Sequence, residues 1–393
     1  MAKMTLRDIP IQGKTILLRA DFNVPLDATQ HITDDTRIRA TLPTLEFILG
    51  KGVKRLILAS HLGRPDGKPN AKYSMKPVAG RLKELLGRDV LFLNDCVGDS
   101  VKKELAGSPV QVVLLENLRF HAEEEANDPA FAKELASLAD LFVNDAFGTA
   151  HRAHASTEGV TRYLTSAAGL LLEKEIQYLG SAVETPKKPF MVILGGAKVS
   201  DKIGVIGNLL PKCDAIVIGG GMAYTFLKAQ GKAIGNSKLE KDKVDLSKSL
   251  LEQAGKLGKE ILLPVDHLVA DHVAADAKPT AAGDAIPDGM IGVDIGPKTI
   301  GLYLKKLESA KTVLWNGPMG IFEMDPFSNG TKELARGIAS FKCTSIIGGG
   351  DTAAAMAKFG VADKMTHIST GGGASLEYLE GKVLPGVAAL TDR

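Results

Sequence analysis

The sequence predicts an α/β protein of two similar-sized lobes, each a mostly parallel sheet with helices on both faces. The expected architecture is Rossmann-like and three-layered, with a hinge helix joining the lobes. Three observations predict it. The chain has 393 residues, more than one ordinary hydrophobic core serves. Short, continuous, β-branched apolar runs alternate with helical patterns along its whole length, the rhythm of parallel strands covered on both faces. Finally, a helical stretch at Ala167–Glu184 has no strand partner of its own and ends in Thr185-Pro186-Lys187-Lys188-Pro189, a helix-stopping break between two series of strands.

The strands of the first series are Thr15–Ala20, Arg55–Ala59, Val90–Leu93, Val110–Leu115 and Leu141–Val143. Those of the second are Phe190–Leu194, Ala215–Ile218, Glu260–Pro264, Thr312–Trp315, Ser345–Ile347 and His367–Ser369. Helical segments such as Thr41–Leu49, Met75–Leu86 and Leu246–Leu257 separate them. The expected organisation is a first lobe over residues 1–172, a connecting helix and hinge over 173–188, and a second lobe over 189–375. No repeat of fixed period and no low-complexity tract interrupts this.

Composition narrows the function. A net charge of +2 gives no global attraction to nucleic acid or a membrane surface. No apolar run approaches the roughly 18–20 residues needed to span a bilayer, and the N-terminus lacks a signal-peptide core. Cys96, Cys213 and Cys343 are odd in number and far apart, which fits reduced cytosol better than a disulfide framework or a zinc site. The halves also differ: 11 of the 13 arginines lie before residue 170 and 30 of the 42 glycines after it. Arginine grips oxyanions with a rigid fork, and glycine lets backbone approach phosphate.

Ligands of open parallel sheets sit beyond the carboxyl ends of the strands. In the first half those ends carry Leu18–Leu26 (LRADFNVPL, with Asp21 and Asn23), His61–Pro65 (HLGRP), Glu116–Phe120 (ENLRF) and Val143–Ser156 (VNDAFGTAHRAHAS, with His151, Arg152 and His154). Arg37 lies early in the stretch Asp35–Leu49. A lone arginine is usually a solvated or ion-paired surface residue. Repetition at four strand ends is what points to a small, multiply charged anion. The histidine spacing does not suit a zinc pair on a helix.

In the second half, Phe190–Leu194 runs into Gly195–Lys202 (GGAKVSDK), read as a glycine turn opening a helix on which Lys198 and Lys202 share a face. Further glycine runs follow at Gly219–Gly221, Gly348–Thr352 and Gly371–Ser375, with Trp315-Asn316-Gly317-Pro318 closing another strand. One such run is a tight turn; four at strand ends favour a polyphosphate. Asp351 suits Mg2+ or equally an N-cap. A Walker A loop fails at Asp8 and a dinucleotide fingerprint fails at Tyr224. Protein-kinase signatures are absent.

Taken together, LRADFNVPL, HLGRP, ENLRF, FVNDAFGTAHRAHAS, GGAKVSDK, IVIGGGMA, WNGPMGIFE, GGGDT and STGGGAS, in this order from residue 18 to residue 375, resemble the phosphoglycerate kinase family. The resemblance implies a substrate lobe first and a nucleotide lobe second, with residues 376–393 packing back on the first. It implies reversible phosphoryl transfer between 1,3-bisphosphoglycerate and ADP, giving 3-phosphoglycerate and ATP. The implied substrate residues are Asp21, Asn23, Arg37, His61, Arg64, Arg119 and Arg152. The implied nucleotide residues are Gly196, Lys198, Lys202, Gly220, Asn316, Glu323 (at the ribose), Gly349, Gly350, Asp351 and Thr352. Asp351 holds Mg2+, and Arg37, Lys198 and Gly372 serve the transferring group. A monomeric, glycolytic, cytoplasmic enzyme is expected.

The chemistry agrees with that reading. A carboxylate acceptor is already ionised at neutral pH, so no general base is needed; placement and charge neutralisation suffice. An acyl phosphate must be kept from water, which implies hinge bending near Ala167–Pro189. Two alternatives remain open at this level: another acyl-phosphate kinase, and a non-catalytic nucleotide-binding scaffold on the same fold.

Overall fold

A computed structural model describes residues 3–393. It contains two compact units, Met1–Gln177 with Val383–Arg393, and Tyr178–Lys382. The dividing point falls inside the helix Leu170–Glu184, and the chain returns to the first unit only at Val383, so residues 376–382 stay with the second.

The sheet of the first unit is built from β1 (Thr15–Arg19), β2 (Arg55–Ala59), β3 (Val90–Phe92), β4 (Val112–Leu114), β5 (Leu141–Asn144) and β6 (Ser166–Ala168). Their order is β3-β4-β2-β1-β5-β6, with every pairing parallel. Ala167 and Ala168 belong to the stretch expected to be helical, Ala167–Glu184. The run 166–168 is instead a sixth strand, paired from Ser166 to Phe142, and the helix begins at Leu170. Its small residues carry no β signal of their own; the open edge of β5 selects the extended form. The side chain of Asp145 then caps the helix, Oδ1 accepting from the N–H groups of Leu171 (2.9 Å) and Leu172 (3.1 Å).

Strands β1, β2, β4 and β5 are buried along almost their whole length. The unbroken apolar runs therefore arise because helices cover both faces. One face packs Ile16, Leu18, Leu56, Leu58 and Val143 against Ile38, Leu45, Ile48, Val78 and Leu82 of the helices Thr36–Gly50 and Lys76–Leu86. Truncating one such leucine to alanine costs about 2–5 kcal/mol. The first of these helices starts five residues earlier than expected and runs through Pro43. Asp34 fixes its start, accepting from the Thr36 N–H at 2.9 Å and from the Thr36 hydroxyl.

The C-terminal tail is part of this unit. Asn144 Nδ2 donates to the Gly386 carbonyl (2.9 Å), and the Gly386 N–H donates to the Ala150 carbonyl (2.8 Å). Lys3 Nζ closes the other end on the carbonyls of Ala388 (2.7 Å) and Leu390 (2.9 Å).

The second unit carries β7 (Phe190–Leu194), β8 (Ala215–Ile218), β9 (Glu260–Leu262), β10 (His267–Ala270), β11 (Thr280–Ala282), β12 (Ile291–Ile295), β13 (Thr312–Asn316), β14 (Thr344–Gly348) and β15 (His367–Ile368). Its main sheet has the order β15-β14-β13-β7-β8-β9, again wholly parallel. Trp315 on β13 is fully buried, its indole N–H donating to the Gly317 carbonyl at 2.7 Å. A separate antiparallel sheet, β11-β10-β12, was not foreseen. Its edge strand β11 is short and largely exposed, without a period-2 apolar pattern to announce it. All three cysteines are free thiols. Among the described residues no helix is long and apolar enough to cross a membrane.

Candidate functional site

In each six-stranded sheet the strand order reverses beside the first strand of the unit: β1 lies between β2 and β5, and β7 between β13 and β8. The loops leaving these neighbours diverge there, opening a crevice at the carboxyl edge. The expected residues fall on those loops.

In the first unit the loops are stitched together by buried polar groups. Ser60 Oγ accepts from the Phe22 N–H (2.9 Å), joining the exits of β1 and β2. Asn117 Nδ2 donates to the Leu62 carbonyl (2.7 Å) and the Tyr73 carbonyl (2.8 Å), joining β2 to β4. Glu116 accepts from the N–H of Met75 at 2.7 Å, so its carboxylate satisfies the start of the helix Lys76–Leu86. In the ENLRF motif, then, Glu116 and Asn117 brace the neighbouring loops.

On this frame Asp21 accepts from Arg37 Nη1, a pair with the carboxylate nearly buried and the guanidinium half open. Asn23 Oδ1 accepts from the Gly63 N–H at 2.9 Å. Arg119 is buried; its Nη1 donates to the Gly63 carbonyl at 3.0 Å, and its Nε lies 3.3 Å from Glu125. Gly63 has φ +62°, and a Cβ there would meet the Tyr73 ring at 2.4 Å, so only glycine lets this turn be used from both sides. Arg152 stands beside His151, 3.3 Å from its Nε2. Arg64 is exposed at the loop tip.

Arg19, on β1, was not singled out from the sequence. It is fully buried, with Nε donating to Ser156 Oγ (3.0 Å) and Nη2 lying 3.2 Å from His61 Nδ1. Its charge is balanced by Glu124, also buried, which accepts from the Ser156 N–H (2.9 Å) and hydroxyl. An arginine inside an otherwise continuous apolar strand was the available signal, because fully buried charges are rare unless paired. The consequence reaches His61. A guanidinium can only donate, so Nδ1 accepts, and the proton of the neutral ring sits on Nε2. Burial first, then the positive charges of Arg19, Arg119 and Arg37, hold the His61 pKa well below its usual value. The ring is therefore a neutral donor across the physiological range. His154 is likewise pushed down to about 3, by burial and then by Arg119 and Arg19. These mutual effects place the neutral rings of His61 and His154 in the positive field of Arg19, Arg37, Arg119 and Arg152. Arg19→Ala leaves Glu124 buried without its counter-charge and is expected to cost about 3–5 kcal/mol, read as a shift in the urea midpoint.

In the second unit the glycines serve close approach. A Cβ on Gly195 would stand 2.1 Å from the Pro318 carbonyl, and one on Gly220 would stand 2.7 Å from the Gly196 backbone. The Gly196 N–H donates to the Pro318 carbonyl (3.0 Å) and the Gly220 N–H to the Met319 carbonyl (2.8 Å). The exits of β7, β8 and β13 are thus bonded backbone to backbone. Gly196 and Gly220 both spend their N–H groups on the turn that follows β13, and act there as close-packing glycines.

One expectation changes here. Residues 195–202 are not helical; the helix begins at Ile203, with Lys202 as its N-cap. Lys198 and Lys202 therefore do not share a helical face. Glu240 takes the N–H groups of Val199 and Ser200 (3.1 Å for Ser200) and the Ser200 hydroxyl (2.6 Å), which holds the chain as an open loop. Lys198 is exposed on it. Lys202 turns inward and donates to Asn316 Oδ1. Burial lowers its pKa, opposed by Asp201, Asp351 and Glu380.

The helix Gly350–Lys358 opens after Gly349 at φ +86°, with no side-chain cap. Asp351, which could have been that cap, is exposed in the first turn. Thr352 is buried, and its Oγ1 accepts from the Gly317 N–H at 2.7 Å, so its side chain fixes a neighbouring turn. Gly372 is the N-cap of the short helix Gly373–Leu379. A cavity of about 370 Å3 brings together Gly196, Gly220, Glu323 and Asp351 with an apolar wall of Tyr224 and Ile291. Its size suits a small ligand. The wall comes partly from the antiparallel sheet, which is why the sequence did not reveal it.

Asp294, on β12 behind this wall, is buried under Gly320 and Gly330 and accepts from the Gly330 N–H at 2.7 Å. Burial pushes its pKa up to about 7, opposed by that bond and the Ile295 N–H. A raised pKa means the folded chain holds this proton more tightly than the unfolded one. The advantage is full below the unfolded value near 3.8 and is lost as pH rises through about 7. It amounts to a few kcal/mol at about 1.4 per pKa unit. Asp294→Asn is expected to flatten the dependence of melting temperature on pH between 4 and 7, measured by calorimetry.

A larger cavity, about 1000 Å3, lies in the first unit between residues 29–35 and the helix Lys76–Leu86. None of the expected substrate residues lines it. Two of its cations, Arg39 and Arg81, are already ion-paired with Asp35 at 2.8 Å each.

The family model for phosphoglycerate kinase matches residues 6–382. The chain belongs to the phosphoglycerate kinase family. Phosphoglycerate kinases of Koribacter versatilis and Chlorobium limicola are each 58% identical to it, over 100% of both chains. The solved phosphoglycerate kinase of Coxiella burnetii superposes with a TM-score of 0.91 at 42% identity, covering 98% of each chain. That of Pyrococcus horikoshii gives 0.84 at 32%, with the same coverage. The chain is a phosphotransferase of this family, performing reversible phosphoryl transfer between 1,3-bisphosphoglycerate and ADP, with 3-phosphoglycerate and ATP as products. Neither a different acyl-phosphate kinase nor a non-catalytic scaffold finds support.

Proposed function

We propose that the first unit binds 3-phosphoglycerate through Asp21, Asn23, Arg37, His61, Arg64, Arg119 and Arg152, and that the second binds ADP or ATP. The single observation that carries the first assignment is the cluster of Arg37, Arg119 and Arg152 guanidiniums around a neutral His61 at the switch point of a parallel sheet. Guanidinium forks suit both the phosphate and the carboxylate of this substrate, and neutral His61 donates from Nε2.

The nucleotide would place its base against Tyr224 and Ile291, its ribose near Glu323, and its phosphates at the uncapped start of the helix Gly350–Lys358. Lys202 would contact the phosphates from a position fixed by Asn316. Gly196, Gly220 and Thr352 shape this site. Gly349, Gly350 and Asp351 present backbone to the phosphates, and Gly372 does so at the neighbouring turn. The exposed Asp351 carboxylate is a hard oxygen donor at the mouth of the cavity, which fits Mg2+ shared with phosphate oxygens. Bound there, the ion supplies charge neutralisation at the phosphates.

In the productive complex the acceptor carboxylate, already ionised, attacks in line. Arg37 and Lys198 stabilise the charge spreading over the phosphoryl oxygens. Each chain carries both halves of the site, so a monomer suffices, and three free cysteines suit a reducing cytoplasm. The test is a coupled assay with 3-phosphoglycerate and ATP, read through acyl-phosphate reduction. Activity is expected to vanish on chelation and return with Mg2+. Full activity in excess chelator would remove Asp351 from the scheme.

A further inference from the structure

We propose that Asp95, Cys96 and His121 form a binding site for a thiophilic divalent metal ion, Zn2+ being the best fit, separate from the Mg2+-nucleotide site. Asp95 and Cys96 follow β3; His121 is the C-cap of the 3-10 turn Leu118–Phe120 that carries Arg119. The two segments bring one carboxylate oxygen, one thiol sulfur and one imidazole nitrogen within 4.8 Å of one another. Around a tetrahedral zinc such donors stand about 3.3–3.7 Å apart, so a small contraction closes the set.

The set is partly assembled already. His121 Nε2 lies 2.7 Å from Asp95 Oδ1, and the Cys96 N–H donates to that same oxygen at 2.7 Å. The His121 ring is held against Phe131, with centroids 5.2 Å apart, which fixes the direction of its nitrogen. Cys96 is fully buried, whereas Asp95 and His121 are partly exposed. A metal can therefore enter from the solvent side while the sulfur forms the floor. Asp95, Glu116 and Glu124 all place negative charge around that sulfur, a field that favours a cation.

The donor types select the ion. A thiolate with an imidazole prefers Zn2+ or Co2+ to Mg2+, which takes oxygen ligands. Three protein ligands leave a fourth position for water, as in open zinc sites. On binding, the Cys96 thiol gives its proton to solvent and the sulfur pair forms the metal bond. The His121 proton moves from Nε2 to Nδ1. Affinity therefore rises with pH. The bound ion would tie the exit of β3 to the turn that carries Arg119.

The test uses metal-free full-length protein without nucleotide. Zn2+ is titrated against a chromophoric chelator, and Co2+ is followed through thiolate-to-metal charge-transfer absorption. One equivalent per chain is expected, with a charge-transfer band and a raised melting temperature. Cys96→Ser should abolish the band, and both Cys96→Ser and His121→Gln should weaken Zn2+ at least tenfold. The double variant Cys213→Ser/Cys343→Ser should bind as wild type. Absence of one-equivalent binding, or a band that survives Cys96→Ser, overturns the site. If Cys96→Ser does not fold, His121→Gln at its partly exposed position decides: unchanged zinc affinity in that variant overturns the proposal equally.

Discussion

Lys198→Ala is expected to lower kcat by roughly 10²–10³, the usual cost of removing one group that stabilises transition-state charge, while weakening ADP binding far less. The reason lies in how the loop is built. Glu240 holds the backbone at Val199 and Ser200, so the substitution leaves the loop's course intact. The side chain is exposed, so no packing is lost. Nucleotide affinity is expected to rest on the cavity wall, Lys202 and the helix start, and Lys198 does not line that cavity. Steady-state kinetics together with an equilibrium titration of ADP separate the two quantities. Equal losses in both would make Lys198 a binding residue only.

Arg37→Ala is expected to be at least as severe, because two functions are lost at once. The guanidinium is partly open to solvent and engaged with Asp21. Without it, the nearly buried Asp21 side chain loses its cationic partner and stands unpaired beside an anionic substrate. A fall in kcat of roughly 10²–10³ should be joined by a higher KM for 3-phosphoglycerate. Arg37→Lys should recover part of the KM through its charge, and less of kcat, since an ammonium lacks the planar fork. A near-wild-type kcat in Arg37→Ala would take this residue out of the transfer step.

The strands were legible because they are buried on both faces, so burial wrote itself into the sequence as unbroken apolar runs. The exceptions have physical causes. β6 is made of Ser166, Ala167 and Ala168, residues that become a strand only because β5 offers an edge. β11 is exposed and too short for periodicity to speak. Residues 195–202 read as a helix start, but Glu240, forty residues away in sequence for Ser200, captures the N–H groups that a helix would have used. In the site, strand-end arginines and glycines could be found because their positions follow from sheet topology. The buried Arg19–Glu124–Ser156 network could not, since its members come from three distant segments and gain meaning only when packed together. The same holds for the division of labour inside a motif: in ENLRF, only the fold reveals that Glu116 and Asn117 brace neighbouring loops while Arg119 reaches the Gly63 carbonyl.

The most direct measurement is a crystal structure of the complex with 3-phosphoglycerate and Mg-ADP bound together. The acid is expected on the guanidinium cluster of Arg37, Arg119 and Arg152, its carboxylate in line with the terminal phosphate of the nucleotide, and Arg37 and Lys198 flanking the gap. Density for the acid among residues 29–35 and the helix Lys76–Leu86 instead, with the arginine cluster unliganded, would contradict this placement.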